Sequence, residues 1–218
     1  METYHTIVRF LQEGGVFIYP IVLILALGLA IAIERFMYLS RTRSANVKVW
    51  NQLLPLIEAG KFREARLAAE ESGAAVAKIL AYGLSRLSSA KRRDDIETAM
   101  EEGLMEMVPR LEKRTHYLAT FANIATLLGL LGTIIGLIQA FTAVSAADPA
   151  QKAELLSSSI SVAMNTTAFG LMVAIPLLLI YAFLSSKTTE LVDSLEMASV
   201  KFLNIIGEHA ATSGSKPA

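Results

Sequence analysis

Three long uncharged stretches alternate with charged sequence along this chain, and their order predicts its elements. The first, Val16 to Ile33, has 18 apolar or weakly polar residues, is interrupted only by Pro20 and closes at Glu34-Arg35. The second, Leu118 to Ala147, runs about 30 residues without a charge, and the third extends from Leu155 to Ser186. About 17–25 apolar residues cross a bilayer core, so each stretch predicts a membrane-spanning helix. Ahead of the first, Tyr4, Ile7, Val8 and Leu11 recur at helical spacing among Glu2, Arg9, Gln12 and Glu13, as in an amphipathic interfacial helix. A signal peptide would need a basic start and a small-residue cleavage site, and neither is present.

Between the first two stretches the pattern turns amphipathic. Trp50, Leu53, Leu54 and Ile57, then Ile79, Leu80, Leu84 and Leu87, suggest short helices separated at Gly60, Gly73 and Ser88-Ser89. Ile96, Met100, Leu104, Met107 and Leu111 point to a longer helix that leads directly into the second span, bent at Pro109. After the third span, Leu191, Leu195, Ala198, Phe202 and Ile205 keep the helical period, and Gly207 ends it.

The expected division is an interfacial helix over residues 1–15, span one over 16–34, a helical region over 35–116, span two over 117–147 and a short loop over 148–157. Span three covers 158–186, a helix 187–206, and a disordered tail 207–218. The fold class is an all-α membrane protein with three transmembrane helices and long cytoplasmic helical extensions.

Composition sharpens this. The chain is 53% hydrophobic and 18% charged, where soluble domains carry about a quarter charged residues. Formal net charge is zero, so nothing global points to nucleic acid, but fifteen of the twenty Lys and Arg lie between Glu34 and His116. By the positive-inside rule that region is cytoplasmic, the N-terminus is outside and the C-terminus inside. Absence of cysteine removes disulfides, thiol nucleophiles and thiolate metal sites and leaves the redox compartment open.

The spans carry too many polar residues for plain anchors. At 100° per residue, Asn123, Thr126, Leu130, Thr133 and Leu137 share one stripe of span two, and Gly129, Gly132 and Gly136 lie on the adjoining one. Span three sets Ser159, Ala163, Thr166, Thr167, Gly170 and Ala174 along one side, with Ser158, Ser161 and Asn165 along another. Small residues let helices approach closely in lipid, so the glycines argue for packing. Thr133 and Thr166 or Thr167 could face a common interior; equally, a membrane Thr commonly bonds its own i−4 carbonyl. Asn165 is costlier to bury.

No Asp, Glu, Lys, Arg or His lies inside any of the three uncharged stretches. Ion relays generally need an ionisable group there, so proton conduction would require one from a partner. His5, His116 and His209 show no ligand spacing, and no nucleotide loop, nucleophile elbow or carboxylate pair is visible. The cluster Glu97, Glu101, Glu102 and Glu106 beside Lys91-Arg92-Arg93 reads as a solvated helix face. Neither an enzyme nor a cofactor is expected.

Four segments, GGVFIYPIVLILALGLAIAIER, EAGKFREARLAAEESGAAVAKILAYGL, ATLLGLLGTIIGLIQAF and AMNTTAFGLMVAIP, resemble the MotA/TolQ/ExbB proton-channel family in content, order and spacing, its ExbB/TolQ branch in particular. The resemblance runs from about Phe10 to Gly207. It implies a lipid-embedded ring of five subunits in the bacterial inner membrane, around two copies of a single-span ExbD/TolR-like partner whose membrane Asp carries the ion. It further implies work on a periplasmic transducer of the TonB/TolA type. The family's pore threonines fall on Thr133 and Thr167, and Thr126, Asn165 and Thr166 join the expected ion-path lining. Gly129, Gly132, Gly136 and Gly170 are the expected packing positions.

One departure concerns the ion. ExbB and TolQ relatives usually carry Glu five residues before the third-span Thr, where this chain has Val162. Oxygen ligands at Asn165 and Thr166 would suit a dehydrating Na⁺; H⁺ is expected ahead of Na⁺. The competing expectation is a structural membrane scaffold that assembles helices without ion flow.

Overall fold

The computed structural model describes residues 15–87 and 92–214. Its described residues form six α-helices and no strand. The expectation for residues 1–15 lies almost wholly outside them, as do residues 215–218 of the expected tail.

Helix α1 spans Ile18–Glu58, so the first membrane stretch and the Trp50–Ile57 pattern belong to one helix of 41 residues. No Gly or Pro interrupts it between Gly28 and Pro55. Pro20 sits in the first turn, where its missing N–H serves no ladder bond. The helix stops at Gly60, whose φ of 72° only glycine adopts without strain. Gly60 N–H donates to Ile57 O at 3.0 Å and Lys61 N–H to Leu56 O at 2.9 Å, the paired bonds of a Schellman closure.

Helices α2 (Phe62–Glu71) and α3 (Ala75–Arg86) follow. Helix α4 (Arg93–Glu112) turns Ile96, Met100, Met107 and Leu111 inward. Pro109 is accommodated within α4, and the break falls instead at Lys113, with ψ 132°, and Arg114, with φ 66°. A left-handed residue bearing a Cβ costs about 1–2 kcal/mol; the Arg114 guanidinium lies 3.7 Å from Glu34 Oε2. Helix α5 is Thr115–Ala146 and helix α6 is Lys152–Gly214.

Helix α6 passes through Gly207, where the spacing predicts its end. An interior glycine costs about 1 kcal/mol relative to alanine, too little to stop a helix held elsewhere. Here His209 packs edge-on to Phe62 at 5.7 Å between ring centroids, its Nδ1 3.1 Å from Ile205 O.

The chain divides into two compact units. The first holds, of the described residues, 15–34 and Arg114–Leu184. Its interior is made of small residues, Ala122, Ala125, Ala163 and Ala174, with Ile21, Leu118 and Leu177, while Leu127, Ile134, Ile138, Phe141 and Leu179 are exposed. Three helical stretches are long and apolar enough to cross a membrane.

The second unit holds the described residues of 35–113 and 185–214. Leu53, Ile57, Ile79, Leu80, Met100, Leu111, Leu195 and Phe202 are its largest fully buried side chains. Two polar residues of α1 complete the ends of other helices in this unit. Asn46 Oδ1 accepts from Val76 N–H at 3.2 Å, in the first turn of α3, where Ala74 offers no side-chain cap. Buried Arg35 donates to Leu111 O in the last turn of α4, its guanidinium 4.8 Å over the Tyr38 ring.

Candidate functional site

The site grows from the contact between α5 and α6, where small residues face one another. A Cβ on Gly129 would stand 3.2 Å from Thr167 Cα and 3.3 Å from Gly170 Cα; one on Gly136 would meet Ala163 Cβ at 2.8 Å. On Gly170 it would lie 2.7 Å from Ala125 O. Backbone therefore meets backbone along this seam. Where apolar burial gains little, close dispersion contact and hydrogen bonds between helices supply the cohesion.

Thr166 is taken inside this seam. It is 2% exposed, its hydroxyl donates to Val162 O at 2.9 Å, and its Cγ2 fills the notch at Gly132. One of the expected path-lining residues, it packs between the two helices within this chain, because its stripe on α6 coincides with the buried face.

Thr133 and Thr167 sit at one edge of the seam, each half-buried. Thr167 Oγ1 donates across the helices to Gly129 O at 2.7 Å, and Thr133 Oγ1 donates to Leu130 O at 2.6 Å. The two hydroxyl oxygens are 3.5 Å apart. A hydroxyl has one hydrogen and two lone pairs. Both hydrogens go to carbonyls, so this pair offers acceptors: it can receive a hydrogen bond from a protonated carboxyl or a water, or coordinate a cation. It cannot itself carry a proton at ordinary pH.

Thr126 is exposed and donates to Ala122 O at 3.1 Å; Asn165 is half-buried and takes no part in the hydroxyl pair. Val162, five residues before Thr167, is 36% exposed. Helical spacing groups Thr133 with Thr126 but gives no sign of the bond from Thr167 to Gly129 O. The signal for it was the bare glycine itself, which opens that carbonyl to a side chain on the facing helix.

Comparison with known proteins bears on the whole chain. Residues 71–197 match the MotA/TolQ/ExbB proton channel family. A biopolymer transport protein ExbB homolog of Methanothermobacter thermautotrophicus is 30% identical over 194 residues, covering 88% of this chain and 67% of its own. An ExbB-like biopolymer transport protein of Synechocystis is 33% identical, covering 83% of this chain and 71% of its own. The Tol-Pal system protein TolQ of Haemophilus influenzae is 36% identical over 89 residues, 41% of this chain and 39% of its own. With three helical stretches able to cross a membrane, this is a multi-pass membrane protein, and the chain belongs to the MotA/TolQ/ExbB proton channel family.

Proposed function

We propose that this chain is the ring-forming subunit of an ion-driven inner-membrane motor of the ExbB/TolQ type. Five copies surround a dimer of a single-span ExbD/TolR-like partner, and H⁺ moving down its gradient drives mechanical work on a TonB/TolA-like periplasmic transducer. The observation that carries this reading is the Thr133–Thr167 pair, two acceptor oxygens 3.5 Å apart at the edge of the α5–α6 seam. The three uncharged stretches of this chain contain no Asp, Glu, Lys, Arg or His, so the pair is half of a site. A carboxyl on the partner's membrane helix supplies the other half: protonated, it donates to these oxygens; ionised, it finds no donor in them.

Thr126, on the stripe of Thr133, extends the polar lining beyond the pair, while Asn165 lies on another side of α6. Val162, where relatives of this type usually carry Glu, removes one charge from the route and leaves the partner's carboxyl as the only titrating group in it. The N-terminus is periplasmic and the C-terminus cytoplasmic, an orientation that the distribution of Lys and Arg supports.

The test is ion flux in vesicles containing this chain and its partner. Thr167→Val keeps the side-chain shape and removes the hydroxyl, and should lower H⁺ flux and coupled work by at least about tenfold, the cost of roughly 1.4 kcal/mol at the rate-limiting step. Ring assembly should survive, since one neutral hydrogen bond contributes about 1 kcal/mol. Thr133→Val should behave alike. Unchanged flux in both variants would favour a scaffold without ion flow, and flux that requires Na⁺ at fixed pH would replace H⁺ with Na⁺.

A further inference from the structure

The second unit carries a groove of about 240 Å³ where α1, the start of α3 and α6 meet. Trp50, Val76 and Leu195 line it, with Asn46 beneath and Lys201 at its side. Asn46 is only 6% exposed; its Oδ1 serves Val76 N–H, while its Nδ2, closed off from solvent, has no acceptor among the described residues. An unsatisfied buried donor is a standing cost, so the groove is incomplete as it stands. A shallower depression shares Val47 with it and is lined by Ser40, Arg43, Ser44 and Lys48. The trough they form together carries Lys48, Lys201 and Arg43, the last 3.9 Å from Glu190 Oε2, and Val47 and Met197 on it are each more than half exposed.

A face of opposite character lies on α4. Its inward positions are Ile96, Met100, Met107 and Leu111. The opposite stripe, at 100° per residue, therefore carries Asp94, Glu97, Glu101 and Met105. All four are exposed, and Met105 is 74% exposed beside the carboxylates. An acidic ridge with a methionine on it complements a basic trough with an apolar floor.

We infer that the Asp94–Met105 ridge of one copy of this chain seats in the Asn46 trough of the next, Met105 against Val47 and Met197. The Glu101 carboxylate, entering past the flexible Met197 and Lys201 side chains, accepts from Asn46 Nδ2 and pairs with Lys201. The contact is heterologous: each copy uses its ridge once and its trough once, an arrangement that closes into a ring where the rotation between copies divides a full turn. This rests on the ring reading above and names the residues that join neighbouring subunits.

Because the chain has no cysteine, a Met105→Cys, Met197→Cys variant of the full chain in membranes reports the contact through an oxidative disulfide. A ladder of cross-linked copies is expected, absent from either single variant. Glu101→Lys or Lys201→Glu should each lower cross-linking about fivefold, the equilibrium weight of an exposed ion pair, and the two together should restore part of it, since a lysine at 101 re-forms the ion pair but cannot accept from Asn46 Nδ2. Native mass spectrometry of the unmutated chain separates the two claims. A ring without a ladder, indifferent to both charge reversals, overturns the contact and leaves the ring; the absence of any ring overturns both. Cross-linking of Met197→Cys to a protein other than this chain also overturns it, in favour of a different occupant.

Discussion

Thr167 differs from the other hydroxyls of the membrane unit in where its hydrogen goes. Thr126 and Thr166 donate to the carbonyls four residues back, and Thr133 to the one three back, whereas Thr167 reaches Gly129 O on the neighbouring helix. That bond and the Gly132 notch depend on missing side chains. Gly132→Ala would force a methyl against Thr166 Cγ2 and should destabilise the fold by about 1–3 kcal/mol. Thr166→Ser removes that methyl, so the double variant should recover at least part of the loss, a coupling of about 0.5–3 kcal/mol in thermal unfolding of the purified protein. Additive effects would show that the two groups do not meet. A second single-residue expectation concerns Glu190, whose carboxyl is held below the usual carboxylate range first by the Lys187 hydrogen bond and further by the charges of Lys187 and Arg43. A depressed folded value means its contribution is present above the unfolded value near 4.3 and fades as pH falls through the folded one. Glu190→Gln should therefore lower the melting temperature slightly near pH 7 and leave it unchanged at pH 2–3; an equal loss at both would assign the effect to packing.

At the scale of elements, continuity and interruption were set by different physics. Helices α1 and α6 run on because nothing in their sequence stops the hydrogen-bond ladder strongly enough. Pro176 lies inside α6, and Gly207 likewise fails to end it. The break between α4 and α5 occurs at Lys113–Arg114, which carry no breaker signature; their non-helical angles accompany the Glu34–Arg114 ion pair. Helix ends are completed across the chain as well. Arg35→Met keeps much of the buried volume but strips Leu111 O of its donor, and should cost about 1–3 kcal/mol. Hydrogen exchange in the last turn of α4 should rise in that variant while α2 stays protected; a uniform rise would mean that Arg35 supports the whole unit.

For the whole molecule, orientation is the property that charge alone encodes. Ala150→Cys should react with a membrane-impermeant maleimide added outside intact cells, and Glu64→Cys only after permeabilisation; the reverse pattern would invert the topology. The three apolar stretches, the helical periods and the lack of Asp, Glu, Lys, Arg or His within those stretches follow from composition and spacing, because membrane insertion responds to local hydropathy. So does the family resemblance, carried by contiguous segments such as ATLLGLLGTIIGLIQAF. The glycine stripe was legible as a packing face for the same reason. Which residues meet across helices was decided only in three dimensions. Thr166 and Thr167 are adjacent in sequence and both polar, yet one fills a notch and the other bonds the facing backbone, since 100° of helical rotation separates the middle of a seam from its edge. Arg35 and Asn46 look like ordinary polar residues until the ends of α4 and α3 arrive beside them, and those contacts join residues tens of positions apart, beyond the reach of any periodic pattern.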